Sequence, residues 1–351
     1  MDLAEHNKSL IAKFRAAMVD FSEESVRENL ADVIAPDADI HLCHPLGDML
    51  GEHFYDSAYA PLFKAIPDLE RRDYIVTAGS DNHGTNWVGC AGNYVGTFIA
   101  TWLEIPPTGH FVQMRFHEFY RIEGDKVVEV QAIWDIPELM MQANAWPLAP
   151  SLGREGCVQG PSTQDGIVRS FNGSDRAKAS CDLVVDMLTH MIRHPSQGGA
   201  DVMEMERFWH PRMTWYGPAG IGTCRGISGF RNWHQIPFLA AMPDRGQQEK
   251  ETKETMSHFF GDGDYVAVTG WPNMKQTMTG AGWLGLPKTD KVITLRSLDF
   301  WRVEGNLIRE NWVLIDLLDL FSQLGMNVFD RLREFNKAGI QGQLPCPVGD
   351  I

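Results

Sequence analysis

Apolar and polar positions alternate along much of the chain, and changes of period mark its elements. Helical spacing covers 3–19 and 23–34, with Ser22 placed to cap the second helix. Asp39–His44 alternates and predicts a first strand, and Pro45–Gly51 reads as a loop. A helix is predicted over Phe54–Ile66, closed by Pro67-Asp68. Extended runs follow at 70–79, 85–92, 94–103, 110–122 and 126–134, then a helix-like stretch at 136–143. A similar series comes again. It comprises a helix over about 175–193, a shorter one ending near Trp209, a strand at Met213–Tyr216 and a glycine-rich loop over 217–226. The helix Phe230–Met242 is closed by Pro243-Asp244, and strands follow near 248–260, 264–271, 274–283, 291–303 and 307–315. A last helix spans about 326–338.

The recurrence is literal. Arg115–Gln142 superimposes on Arg296–Gln323 without a gap at an offset of 181 residues. Arg115, Phe119, Arg121, Glu123, Gly124, Glu129, Asp135, Leu139 and Gln142 meet identical residues, and the register reaches back through Gly89/Gly270 and Trp102/Trp283. A period this long means a duplicated domain, not a solenoid. In each copy two alternating runs flank a Glu-Gly-Asp or Glu-Gly-Asn turn, which is the signature of a hairpin. The second run ends at Asp135 or Asp316, just before a helix. An aspartate there reads either as an N-cap or as a functional carboxylate.

These features divide the chain into a first unit over 1–145, a linker over 146–168, a second unit over 169–340 and a tail over 341–351. The linker is rich in Pro and Gly, but its apolar residues predict that it packs on a surface. The order of elements predicts two α+β units, each a curved antiparallel sheet wrapped around helices to form a cone with an interior pocket. Helices do not alternate with strands, which disfavours a doubly wound nucleotide fold.

Composition narrows the function classes. The 351 residues are 44% hydrophobic and carry a formal net charge of −15 with no Lys/Arg-rich run. That charge opposes nucleic acid or an anionic membrane surface as a partner. No run approaches the roughly 20 apolar residues of a membrane helix. The N-terminus lacks the basic start and apolar block of a secretion signal. The six cysteines are scattered without metal-binding spacing and read as reduced thiols, so a cytoplasmic location is expected. His41 and His44 face opposite sides of a strand and make a poor metal pair, and no metal site is predicted. A Gly-x-Ser-x-Gly elbow, a Walker A loop and a His-Glu-x-x-His motif are all absent.

Two stretches of the second unit carry a specific resemblance. Met213–Arg245 includes Met-Thr-Trp-Tyr-Gly-Pro-Ala-Gly and Ala-Ala-Met-Pro-Asp-Arg. Arg296–Leu324 includes Asp-Phe-Trp-Arg-Val-Glu-Gly and Glu-Asn-Trp-Val-Leu-Ile-Asp. The second unit resembles the SnoaL-like polyketide cyclase (ester cyclase) family of the NTF2-like superfamily over most of 175–335, and the first unit does so more weakly over about 8–143. The resemblance implies two tandem cone-shaped barrels. It also implies chemistry without metal or cofactor, in which an aspartate in an apolar pocket acts as general acid and base. That aspartate falls on Asp316, and by the repeat on Asp135.

A free aspartate, with a pKa near 3.9, is a poor base toward a carbon acid, but an apolar wall raises it. Tryptophans supply such a wall, with Trp215, Trp283 and Trp312 as candidate lining residues and Trp102 as the counterpart of Trp283. Asp299, in the register of Glu118, is a further candidate acid or base, although parity alone leaves its direction open. His234 could orient a carbonyl or share a proton, and Tyr216 could donate to an enolate oxygen. The first unit departs from this pattern: Ala58 stands opposite His234, while His44, His117, Glu118 and Asp135 could converge in a second or altered site. The expected partner is a small apolar carbonyl compound, and the two units could form an intrachain pseudo-dimer or part of a homodimer. A binding or assembly module without turnover, and hydrolysis by an Asp-activated water, are the alternatives. The enzyme reading requires the carboxylates at 135 and 316 to face a dry cavity.

Overall fold

The computed structural model describes residues 2–167, 173–246 and 255–342, so most of the predicted tail and part of the predicted strand near 248–260 lie outside the described residues. Six strands form the first sheet: β1 (Ile34–Leu42), β2 (Gly47–Leu50), β3 (Glu70–Ser80), β4 (Asn86–Thr97), β5 (Phe111–Glu123) and β6 (Lys126–Trp134), in the order β2-β1-β6-β5-β4-β3. The second sheet contains β7 (Trp209–Tyr216), β8 (Thr223–Arg225), β9 (His258–Asp262), β10 (Tyr265–Thr269), β13 (Ser297–Glu304) and β14 (Leu307–Ile315), in the matching order β8-β7-β14-β13-β10-β9. A two-stranded extension, β11 (Met274–Thr277) with β12 (Val292–Leu295), prolongs it. The sheets are mixed and not purely antiparallel, because β1 pairs with β6 and β7 with β14 in parallel.

Helices Leu3–Ala17 and Glu23–Val33 precede the first sheet, and Ser22 caps the second of them by accepting from Ser25 N–H. The helix inside each cone opens with a π-helical turn, Tyr55–Tyr59 in one unit and Arg231–Gln235 in the other. An α-helical turn follows in both, with proline at its start. Two expectations shift locally. The Pro45–Gly51 stretch contains β2, and the runs at 85–92 and 94–103 give one strand, β4, with a separate turn beyond it.

The second sheet is interrupted where the first is continuous. Pro272 has no N–H to give to a ladder. Asn273 fills the gap with its side chain: Nδ2 donates to Ser297 O at 2.7 Å and Oδ1 accepts from Ser297 N at 3.1 Å. The strand pair therefore splits into β10/β13 and β11/β12.

The convex faces of the two sheets meet. Phe119 stacks on Phe300 with ring centroids 5.0 Å apart. A Cβ at Gly89 would lie 2.9 Å from Phe300 and 3.1 Å from Phe119, so only glycine admits this approach. The stretch between the units is also packed: Gly153 N–H donates to Ile221 O, Arg154 exchanges two backbone hydrogen bonds with Thr223, and Ser162 Oγ donates to Glu310. Among the described residues no helix is long and apolar enough to cross a membrane.

Candidate functional site

Side chains on a strand alternate between two faces, and this parity sorts the candidates. On β13, Ser297, Asp299 and Trp301 line a cavity of about 280 Å³ inside the second cone. On β14, Asn311, Val313 and Ile315 do the same. The intervening residues Leu298, Phe300, Trp312 and Leu314 are buried away from it. The remaining wall comes from Trp209 and Trp215 on β7, from Phe230, His234 and Phe238 on the central helix, from the helix Ser174–Met191, and from Arg245.

Asp299 is the carboxyl group of this cavity. Ser297 Oγ donates to its Oδ1 at 2.6 Å, and Oδ2 has no hydrogen-bond partner among the described residues. Burial pushes its pKa up to about 7, against the smaller pull of the Ser297 hydrogen bond and the Arg245 charge. His234 stacks on Trp215 with centroids 4.1 Å apart and rings 14° from parallel. Burial, helped by the nearby Arg245 charge, lowers its pKa to about 3, so the ring is neutral near pH 7. It sits on the π-helical turn, a distortion common at functional sites. The indole N–H groups of Trp209 and Trp301 and Nδ1 of His234 are buried without hydrogen-bond partners among the described residues.

Asp316 and Asp135 do not face this cavity, and the expectation that they would is corrected. Asp316 follows the convex parity of β14. It caps its helix by accepting from Asp319 N at 3.1 Å, accepts from His44 N across the interface at 2.9 Å, and pairs with Arg296 at 3.2 Å. Burial raises it to about 6 even so. Asp135 accepts from Ala219 N at 2.9 Å and pairs with Arg115 at 3.3 Å. Arg115 also donates to the carbonyls of Tyr216, Gly217 and Val313. Both aspartates are thus structural partners of an arginine and of the opposite unit, so the enzyme reading built on them fails, and an acid–base role has to rest on a different carboxyl group.

Other candidates divide similarly. Trp215 lines the cavity, whereas Tyr216 stacks on Trp312 at 5.4 Å outside it, and Trp312 Nε1 donates to Gln159 O. Trp283 packs edge-on against Phe238 behind the wall. In the first unit His44, His117 and Asp135 do not converge on a pocket. His44 meets the second unit at Asp316, and His117 donates Nδ1–H to Leu298 O at 2.6 Å. Burial and the Arg115 charge hold His117 well below the usual histidine range. Trp102 lies against Trp134.

Glu118 stands where Asp299 stands in the second unit, but its surroundings are filled. Its carboxylate accepts from Arg71, from Tyr94 Oη at 2.8 Å, from Tyr120 Oη at 2.5 Å and from Trp134 Nε1 at 2.8 Å. Tyr59, Tyr94, Trp134 and Arg71 are all fully buried around it. The first cone encloses a satisfied polar network at the level where the second encloses a cavity.

Arg245, Asn273 and Ser297 were not singled out from the sequence. Arg245 alone had a signal, as the residue after the Pro-Asp pair that closes each central helix.

Comparison with known proteins agrees with this duplication. The family described as SnoaL-like polyketide cyclase matches residues 12–143, and the SnoaL-like domain family matches residues 195–311. Among curated proteins none matches the chain. Solved structures similar to parts of it include IdmH, a proposed polyketide cyclase from Streptomyces antibioticus, at 22% identity over 39% of this chain and 96% of that one, with a TM-score of 0.33. AclR, a proposed hydroxylase from Streptomyces galilaeus, matches at 20% identity over 41% and 83%, with a TM-score of 0.34. A proposed SnoaL-like polyketide cyclase from Jannaschia matches at 17% identity over 40% and 93%, with a TM-score of 0.35. The chain is a member of the SnoaL-like family that carries two such domains in tandem.

Proposed function

We propose that the second unit is a cofactor-independent enzyme that moves a proton next to the carbonyl of a small, largely apolar substrate, with Asp299 as the acid–base group. One observation carries this reading: a carboxyl group pushed to about 7 in an apolar cavity, with one oxygen left without a protein partner. A pKa near the working pH is where general acid–base catalysis is most effective. Asp299 takes the proton from the carbon beside the carbonyl. The neutral His234, whose Nε2 is not sealed off as its Nδ1 is, stabilises the enolate oxygen that forms. Ring closure by aldol addition, isomerisation and loss of water all share this first step. The first unit, with Glu118 committed to four donors, serves as the fixed half of an intrachain pair.

The test needs no knowledge of the natural substrate. A panel of small apolar ketones and β-keto esters is incubated with the protein in D2O, and deuterium at the α-carbon is followed by NMR. Catalysed exchange is expected for part of the panel, rising through about pH 7 as Asp299 ionises and falling about 100-fold or more in Asp299→Asn. Binding without exchange anywhere in the panel, or full exchange in Asp299→Asn, would refute the proposal and favour a ligand-binding module.

A further inference from the structure

Arg245 is the charged group that the cavity does not explain. It follows Pro243-Asp244 in a turn whose backbone is pinned. Asp244 Oδ1 accepts from Thr277 N at 2.9 Å, and Arg245 N donates to Met242 O at 3.3 Å. Gly246 has φ +78°, and a Cβ there would lie 2.5 Å from Ile192 Cβ. The side chain lines the cavity with its guanidinium 5.2 Å from the Phe238 ring centroid, and its Nε is buried with no hydrogen-bond partner among the described residues.

Arg245 is half-buried, and the fully buried arginines differ from it in their partners. Arg71 faces Asp73 and Glu118, Arg115 faces Asp135, and Arg302 faces Glu310. Arg245 faces no carboxylate at salt-bridge distance among the described residues. An anion entering the cavity gives the Arg245 guanidinium the partner that the fully buried arginines already have. The position matching Arg245 in the first unit, counted from its own Pro67-Asp68, is Leu69, which is buried. The cation therefore occurs where the cavity occurs.

We infer that Arg245 is the anion-binding end of the second-unit cavity, and that the site takes a small ring-containing molecule bearing one carboxylate or an equivalent oxyanion. Trp215, Phe230 and Phe238 supply flat walls for the ring, and the Arg245 fork supplies two parallel donors for the anion. The inference rests on this cavity being the substrate site, but it concerns binding and is read without turnover.

The experiment titrates the full chain with 2-naphthoate and with its neutral counterpart 2-naphthamide, followed by calorimetry and by quenching of tryptophan fluorescence. Naphthoate is expected to bind more tightly than the amide. Arg245→Met is expected to weaken naphthoate about 10- to 100-fold and the amide by less than about 3-fold, while Arg245→Lys restores part of the preference for the acid. Asp299→Asn is expected to keep naphthoate binding while losing deuterium exchange, which separates this inference from the catalytic one. Three outcomes would overturn it: no binding of either probe, equal weakening of both in Arg245→Met, or tighter binding of the amide by the unaltered protein.

Discussion

His117 donates its Nδ1 proton to the carbonyl of Leu298 at 2.6 Å, and Leu298 is the residue that occupies the place of His117 in the second repeat. Phe119 likewise stacks on its own counterpart, Phe300. Residues touch their own equivalents only on a twofold axis. Around that axis the outer contacts are reciprocal: Asp135 accepts from Ala219 N–H, and Asp316 from His44 N–H. The interface has the form of an isologous dimer contained in one chain.

Arg115 binds this interface most heavily, through three carbonyls of the second unit and the Asp135 carboxylate. Arg115→Met leaves Asp135 buried without its cation, a loss on the order of 3–5 kcal/mol. Urea unfolding, followed by near-UV circular dichroism, should shift to lower midpoint and split into two transitions as the cores uncouple. A single transition at the original midpoint would contradict the interface described.

The Asp299 carboxyl links stability to pH. Its folded pKa, about 7, lies above the unfolded value, so the folded state holds a proton that the unfolded state releases. Stability from this group is complete below about pH 4 and is lost as pH rises through 7. Asp299→Asn removes the cost of the buried charge. It should stabilise the protein by a few kcal/mol at pH 8, up to roughly 4, and by almost nothing at pH 4. Thermal melts at both pH values decide the point, and an equal effect at both would mean that the carboxyl is not held in an apolar site.

Glu118 and Asp299 share a register position but should fail in opposite ways. Glu118→Gln places an amide among four donors and removes one of the two carboxylates beside Arg71. The expected cost is roughly 3 kcal/mol, read by denaturant unfolding, with ketone exchange in the second unit unchanged below the transition. Asp299→Asn should show the reverse at pH 8: higher stability and lost exchange. Loss of exchange in Glu118→Gln would place chemistry in the first unit as well.

Much of this was legible in the sequence. The 181-residue offset predicted two like units, and the Pro-Asp pairs located both central helices correctly. The error at Asp316 arose at a strand end, where the last residue can turn with either face. A signal against it was present: Arg115 and Asp135 recur together as Arg296 and Asp316, and each arginine is the partner of its aspartate. Asp299 was named, but its direction depends on which face of β13 meets the other unit, a property of the pair of sheets and not of the strand. Arg245 lay inside the recognised motif, yet nothing in a single sequence shows that a cation lacks a carboxylate. The break at Pro272 falls between the predicted strands 264–271 and 274–283, but the predicted run 291–303 hides the matching break at Arg296, and the side chain of Asn273 that spans the gap can be identified only in three dimensions.

The contacts made by Asp135 and Asp316 bear on how such a molecule can evolve. Two identical subunits encoded by one gene must accept every substitution twice. Covalent fusion lifts that restriction, so one copy could fill its hollow with Arg71, Tyr94 and Trp134 while the other kept His234 and Asp299 around an open space. The reciprocal grip between the halves keeps a twofold relation at the seam, while their interiors are free to differ.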